Sequence, residues 1–147
     1  MNKKLLFIAI YPDREGKCPA YVDQLQTIFK EYIILHPSYD YDSEEGLKTL
    51  ELLPNKDIPT DTDPWRKSAF RDFWAINQSD LLLYDFDIDP GERFIAVAAL
   101  YKKNVVGVSR YMRECPIYLS GFVSCMVKST DIVRYVENHF LLESIKN

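Results

Sequence analysis

The densest group of reactive side chains in this sequence is the run Asp85-Phe86-Asp87-Ile88-Asp89-Pro90-Gly91-Glu92, four carboxylates within eight residues. Carboxylates crowded ahead of a helix accept its free N–H groups and bind hydroxyls or a protonated base. Their mutual repulsion lifts one pKa into the working range of a general acid. The same run also suits a solvated turn closed by an Asp cap. Arg110 and Arg113 stand further along, where a guanidinium grips a phosphate through two parallel bonds or forms a surface ion pair. Several other chemistries are missing. No GxGxxG or GxxxxGK(S/T) loop cradles phosphates, no GxSxG elbow presents a serine, and no cysteine is followed by a loop ending in Arg. Of the acid pair and lysine that a phosphoryl-accepting receiver domain needs, only Lys128 fits. His36 and His139 are the only histidines, which argues against a zinc site, and no metal or cofactor is expected.

Hydrophobic periodicity shows which elements would hold these groups. Leu5 to Ile10 is a continuous apolar run, as in a strand covered on both faces of a parallel sheet. Tyr21, Val22, Leu25, Ile28, Phe29 and Tyr32 recur at helical spacing over 19–31, and Ile33-Ile34-Leu35 is a second strand stopped by His36-Pro37. The stretch 38–63 turns polar and irregular, with one helix over about 44–53; a connection of that length is usually functional or mobile. Its Tyr39 and Tyr41 flank Asp40, either able to stack on a base or simply exposed. Asp63 and Pro64 read as an N-cap and first helical residue of a helix to Ile76, with Trp65, Ala69, Phe70, Phe73 and Trp74 as its apolar stripe. Leu81 to Tyr84 is a third strand that delivers Asp85, Asp87 and Asp89 into the acidic loop.

A small-residue helix over 92–102, a fourth strand at 104–109 and a fifth at 123–127 follow. A last helix, capped by Ser129 or Thr130, points Ile132, Val133, Val136 and Phe140 inward. Strand and helix alternate throughout, so the expected fold is α/β: a doubly wound, Rossmann-like sheet of about five parallel strands with helices on both faces. Sites on such sheets lie at the carboxyl ends of strands. That rule selects 11–14, 85–91, 110–113 and 124–129 as candidate segments.

At 147 residues and 17.2 kDa the chain makes one domain, 1–147, large enough for a full layered core. A net charge of −4 without a basic run argues against duplex nucleic acid as partner. The first apolar run is too short for a signal peptide, and no stretch approaches a membrane span, so no membrane partner is expected. Cys18, Cys115 and Cys125 are odd in number and lack CxxC spacing, which suits reduced thiols in a cytoplasmic protein.

Arg71-Asp72, Ile76, Ser79-Asp80, the strand 81–84, Asp89-Pro90-Gly91 and Ala99-Leu100 through Lys102-Lys103-Asn104-Val105-Val106 resemble the nucleoside 2-deoxyribosyltransferase family. The opening strand at 3–9 and Phe122-Val123-Ser124-Cys125-Met126 before the last helix extend the likeness to both ends of the chain. The resemblance implies a small-molecule nucleoside or nucleotide as partner, cleavage or transfer of an N-glycosidic bond through a carboxylate nucleophile, and a homo-oligomer that completes the pocket between subunits. It places Asp89 and Asp72 at the base or sugar, and Ser124 where the family has an Asn reaching into a neighbouring subunit. It also puts Phe7 and Ile10 on a first-strand Tyr and Gly, and assigns Tyr11, Asp87, Gly91 and Met126 to the substrate pocket. The nucleophile itself is displaced: Ile95 stands at the family's Glu, and the nearest acid, Glu92, lies three residues earlier, about 4.5 Å lower on the same helix. Two readings follow. One is an enzyme of N-glycosidic bonds with Asp72, Asp89 and Glu92 as catalytic acids; the other is a non-catalytic relative serving as a nucleotide sensor or interaction module.

Overall fold

The computed structural model describes residues 3–10, 18–28, 32–88, 91–112 and 114–146, with the backbone alone for 142–146. Tyr11, Asp89 and Arg113 lie outside the described residues. The elements are β1 (Lys4–Ala9), α1 (Ala20–Ile28), β2 (Tyr32–Leu35), α2 (Glu44–Leu52), α3 (Pro64–Gln78), β3 (Leu81–Asp85), α4 (Arg93–Leu100), β4 (Asn104–Ser109), β5 (Cys125–Lys128) and α5 (Ile132–Lys146). A 3-10 turn at Ile117–Leu119 precedes β5. The five strands form one sheet in the order β2-β1-β3-β4-β5, and every pairing is parallel. The expected doubly wound sheet is therefore present. Its order reverses between β1 and β3, where a crevice opens outside the carboxyl ends of the strands.

Alternation along the strands sorts the core into two layers. Leu5, Phe7, Ala9, Leu82, Tyr84 and Val105 meet Trp74, Ala75 and Ile76 of α3 and Phe94, Ile95 and Ala98 of α4. On the other face Leu6, Ile8, Leu81, Leu83, Val106 and Val108 meet Tyr21, Val22 and Leu25 of α1 and Ile132, Val136 and Phe140 of α5. β3 is buried on both faces at all its positions, so its five residues divide between the layers.

Local chemistry places the helix starts. Asp63 caps α3 by accepting the Trp65 and Arg66 N–H groups, with Pro64 at the first position, as the sequence indicates. Ser43 does the same for α2, its Oγ accepting the Gly46 N–H at 2.9 Å. The apolar stripe expected on α3 is only half realised. Trp65 is 85% exposed and Phe70 44%, because the first two turns stand clear of the sheet and the buried positions fall at Asp72, Trp74, Ala75 and Ile76. α5 begins at Ile132, two to three residues beyond the expected Thr130 or Ser129 caps, and the Asp131 carbonyl accepts the Tyr135 N–H. β5 starts at Cys125, two residues later than its hydrophobicity suggests.

The polar connection before α3 is fastened rather than loose. Asp72 Oδ1 accepts the Ser38 N–H at 2.8 Å, and Arg71 donates to the Pro59 carbonyl and to Asp42 Oδ2. Farther along, the Gln78 side chain accepts the Asn55 N–H. Tyr41 is 1% exposed, its ring packed on Trp74 at a centroid distance of 5.3 Å. It is core, not a free stacking platform.

Candidate functional site

Strand β3 ends by dividing its chemistry between the two faces of the sheet. Asp85 points to the α1/α5 side, where its Oδ2 accepts the Tyr21 hydroxyl at 2.8 Å and its Oδ1 accepts the Asp87 N–H at 2.8 Å. Burial raises the pKa of Asp85, and the neighbouring Asp87 charge adds to the rise while the Tyr21 hydrogen bond opposes it. The same burial, followed by the Asp85 charge, pushes the Tyr21 phenol above its ordinary value. Asp87 in turn reaches across to β4, accepting the Ser109 hydroxyl on Oδ1 at 3.1 Å and the Arg110 N–H on Oδ2 at 2.6 Å. A continuous chain of hydrogen bonds thus runs from α1 through the end of β3 to the end of β4.

This chain forms one side of a cavity of about 730 Å³. Tyr21 and Gln24 of α1, Asp85, Asp87 and Ile88 after β3, Arg110 and Tyr111 after β4, and Ser129 and Thr130 after β5 line it. All lie at or beyond carboxyl ends of strands, where ligands of doubly wound sheets are held. The volume falls within the range of small-molecule sites, roughly 300–1,000 Å³.

Most of the other residues singled out by the sequence lie elsewhere. Asp72 is 5% exposed on α3, on the opposite face, and desolvation pushes its carboxyl up to about 6 against the lowering effects of the Ser38 N–H and the Arg93 guanidinium. A second, smaller hollow of about 200 Å³ between α3 and the 38–42 segment includes Asp72 in its wall. Phe7 is fully buried with its ring 5.8 Å from that of Phe94. Ile10 is 1% exposed in the α1/α5 layer. Ile95 is fully buried in the α3/α4 layer.

Glu92 precedes α4 without capping it through its side chain; exposed to solvent, it accepts a hydrogen bond from the Tyr118 hydroxyl. Gly91 has φ +100°, a backbone conformation that favours glycine, so its structural role is the turn into α4. Ser124 sits exposed at the amino-terminal end of β5, its N–H bonded to the Val105 carbonyl. Met126 lies across Gly107, where an added Cβ would meet its Sδ at 2.2 Å. Of the expected site residues that are described, the structure brings only Asp87 to the cavity; Asp72, Glu92, Phe7, Gly91, Ser124 and Met126 are not in its walls.

Tyr21, Gln24, Asp85 and Tyr111 went unassigned at sequence level beyond the acidic run and the strand-end rule. The available signal for Tyr21 was a hydroxyl-bearing residue in an otherwise aliphatic inner stripe of α1, opposite the end of a buried strand. Among the described residues no group of acids, histidines or cysteines is arranged to hold a metal ion. None of the described helices is long and apolar enough to cross a membrane.

No protein-family model matches the chain, and no curated protein matches it. Among solved structures, it is similar to the CMP N-glycosidase BcmB of Clostridium botulinum, with a TM-score of 0.48 and 12% identity. The likeness covers 91% of this chain and 99% of that one.

Proposed function

We propose that this chain is a nucleoside- or nucleotide-binding domain that takes its ligand at the carboxyl edge of the sheet and lacks a glycosidase nucleophile on α4. The observation that carries the reading is the separation of cavity and nucleophile position by the sheet itself. The cavity opens on the α1/α5 face, whereas residue 95 is buried in the α3/α4 layer. A carboxylate on the inner face of α4 would point away from a ligand in that cavity. Glu92 offers no substitute, since it is exposed, engaged by Tyr118 and absent from the cavity walls. Covalent catalysis needs the nucleophile at the reacting carbon, and positioning alone does not replace it.

The nucleoside or nucleotide class rests on the family resemblance of the sequence, and it is supported by the site's position, size and mixed lining. Ile88 and Tyr111 offer apolar and aromatic surface, while Gln24, Ser129 and Thr130 offer hydrogen bonds. A thermal-shift panel of ribo- and deoxyribonucleosides and their 5′-monophosphates tests the reading. A ligand at about 100 times its dissociation constant adds roughly 2.7 kcal/mol of stability. Stabilisation by at least one of these compounds, with no free base released on prolonged incubation, is the expected result. Silence across the panel would overturn the binding function, and base release abolished by Glu92→Gln would overturn the non-catalytic part.

A further inference from the structure

We infer that the cavity on the α1/α5 face binds a phosphorylated ligand and that Arg110 grips the phosphate, with Ser129 and Thr130 as neighbouring donors; this rests on the nucleotide reading above. The argument is an account of which polar groups in the cavity are already in use. The two carboxylates, which by type suggest hydroxyl or base recognition, are occupied by the protein. Both oxygens of Asp85 accept, from Tyr21 and from the Asp87 N–H, and both oxygens of Asp87 accept, from Ser109 and from the Arg110 N–H. They build the wall.

What remains uncommitted has the opposite character. The Arg110 side chain has no ion-pair or hydrogen-bond partner among the described residues, its recorded contact being the Tyr111 ring with Cζ 5.9 Å from the centroid. The Gln24 amide and the Ser129 and Thr130 hydroxyls likewise have no partner recorded among the described residues, although all three line the same cavity. A cation with several hydrogen-bond donors matches an acceptor-rich, anionic group, and a guanidinium meets a phosphate with two parallel bonds.

The distribution of charge fixes which end of the ligand goes where. Asp85 repels an anion at the end of β3 and Asp87, bonded to the Ser109 hydroxyl and the Arg110 N–H, repels one at the base of Arg110, so the phosphate belongs at the far end of the Arg110 side chain, toward Ser129 and Thr130 after β5. The neutral part of the ligand then faces Ile88, Gln24 and the start of α1. Since each oxygen of Asp85 and Asp87 already accepts one hydrogen bond from the protein while the guanidinium donates none among the described residues, the charged group supplies more of the affinity than the sugar hydroxyls do.

Calorimetric titration of the full chain with matched pairs of nucleosides and 5′-monophosphates, and with inorganic phosphate, tests this. Each titration is run on the natural sequence and on Arg110→Gln. The exposed position of Arg110 and the retention of its backbone N–H leave folding intact, which unliganded melting curves verify. Loss of charge-assisted hydrogen bonds predicts that the monophosphate binds at least about tenfold more tightly than its nucleoside, and that Arg110→Gln removes most of that gap without weakening nucleoside binding. Equal affinity for nucleoside and monophosphate would overturn the phosphate subsite while leaving the nucleotide reading in place. A gap that persists in Arg110→Gln would overturn the role of Arg110. Binding of inorganic phosphate with every nucleoside and nucleotide silent would sink the nucleotide reading, and with it the phosphorylated-ligand proposal as stated.

Discussion

Replacing Asp72 by Asn should stabilise the protein at neutral and alkaline pH. The carboxyl is 5% exposed, and burial raises its pKa from 3.8 to about 6. A shift of about two units at about 1.4 kcal/mol per unit corresponds to roughly 3 kcal/mol by which the folded state disfavours the ionised form. The sign follows from proton binding. Between the unfolded and folded pKa values the native state holds more protons, so the wild-type contribution falls as pH rises from about 4 to 6 and stays low above that.

The amide removes this penalty and keeps an oxygen to accept the Ser38 N–H. It also lifts the Asp72 charge from the buried Tyr41 hydroxyl, which has no hydrogen-bond partner among the described residues. Urea unfolding of both proteins at pH 8 and pH 4 measures the difference directly. The variant should gain up to about 3 kcal/mol at pH 8 and nearly nothing at pH 4. A variant less stable than the parent at pH 8, or a difference independent of pH, would refute the reasoning.

Two further outcomes can be measured in the same way. Tyr21→Phe withdraws the hydroxyl from buried Asp85 and should cost about 1–3 kcal/mol, more at pH 8 than at pH 5 because the bond supports the ionised carboxylate. Gly46→Ala should cost about 3 kcal/mol or more, since a Cβ would stand 2.0 Å from the Asp40 carbonyl oxygen and 2.6 Å from the Tyr41 Cα, backbone atoms that no rotamer change can clear. Melting curves that match the parent would show that the 40–41 segment moves freely.

The sheet was legible because its signals are local. The apolar runs at 5–10 and 81–84 and the Asp63-Pro64 start each declare themselves within a few residues. The direction in which α3 buries itself was not, because Trp65 and Phe70 have the right spacing but sit in turns that extend past the sheet. The acidic run was legible, but not what it bonds. Asp87 lines a cavity, and its two oxygens accept from Ser109 and Arg110, contacts 22 and 23 residues away that no local pattern encodes. The Tyr21–Asp85 pair, 64 residues apart, is beyond local reading for the same reason. Asp72 and Asp87 stand on different faces because α3 packs beside α4 on one side of the sheet while Asp87 lines the cavity on the α1/α5 side, and spacing along the sequence does not tell which face a helix takes.

The bonded line from Tyr21 through Asp85 and Asp87 to Arg110 also fixes the width of the pocket before any guest arrives. Ordering a helix, a strand end and a neighbouring turn is met during folding, so association need not spend its free energy on that work. Because Asp87 clasps Arg110 by its main chain, the anchor of that residue is set while its guanidinium, with only the Tyr111 ring beside it among the described residues, keeps its reach over the cavity. A wall of this kind would let a phosphate at more than one depth be met by the same side chain.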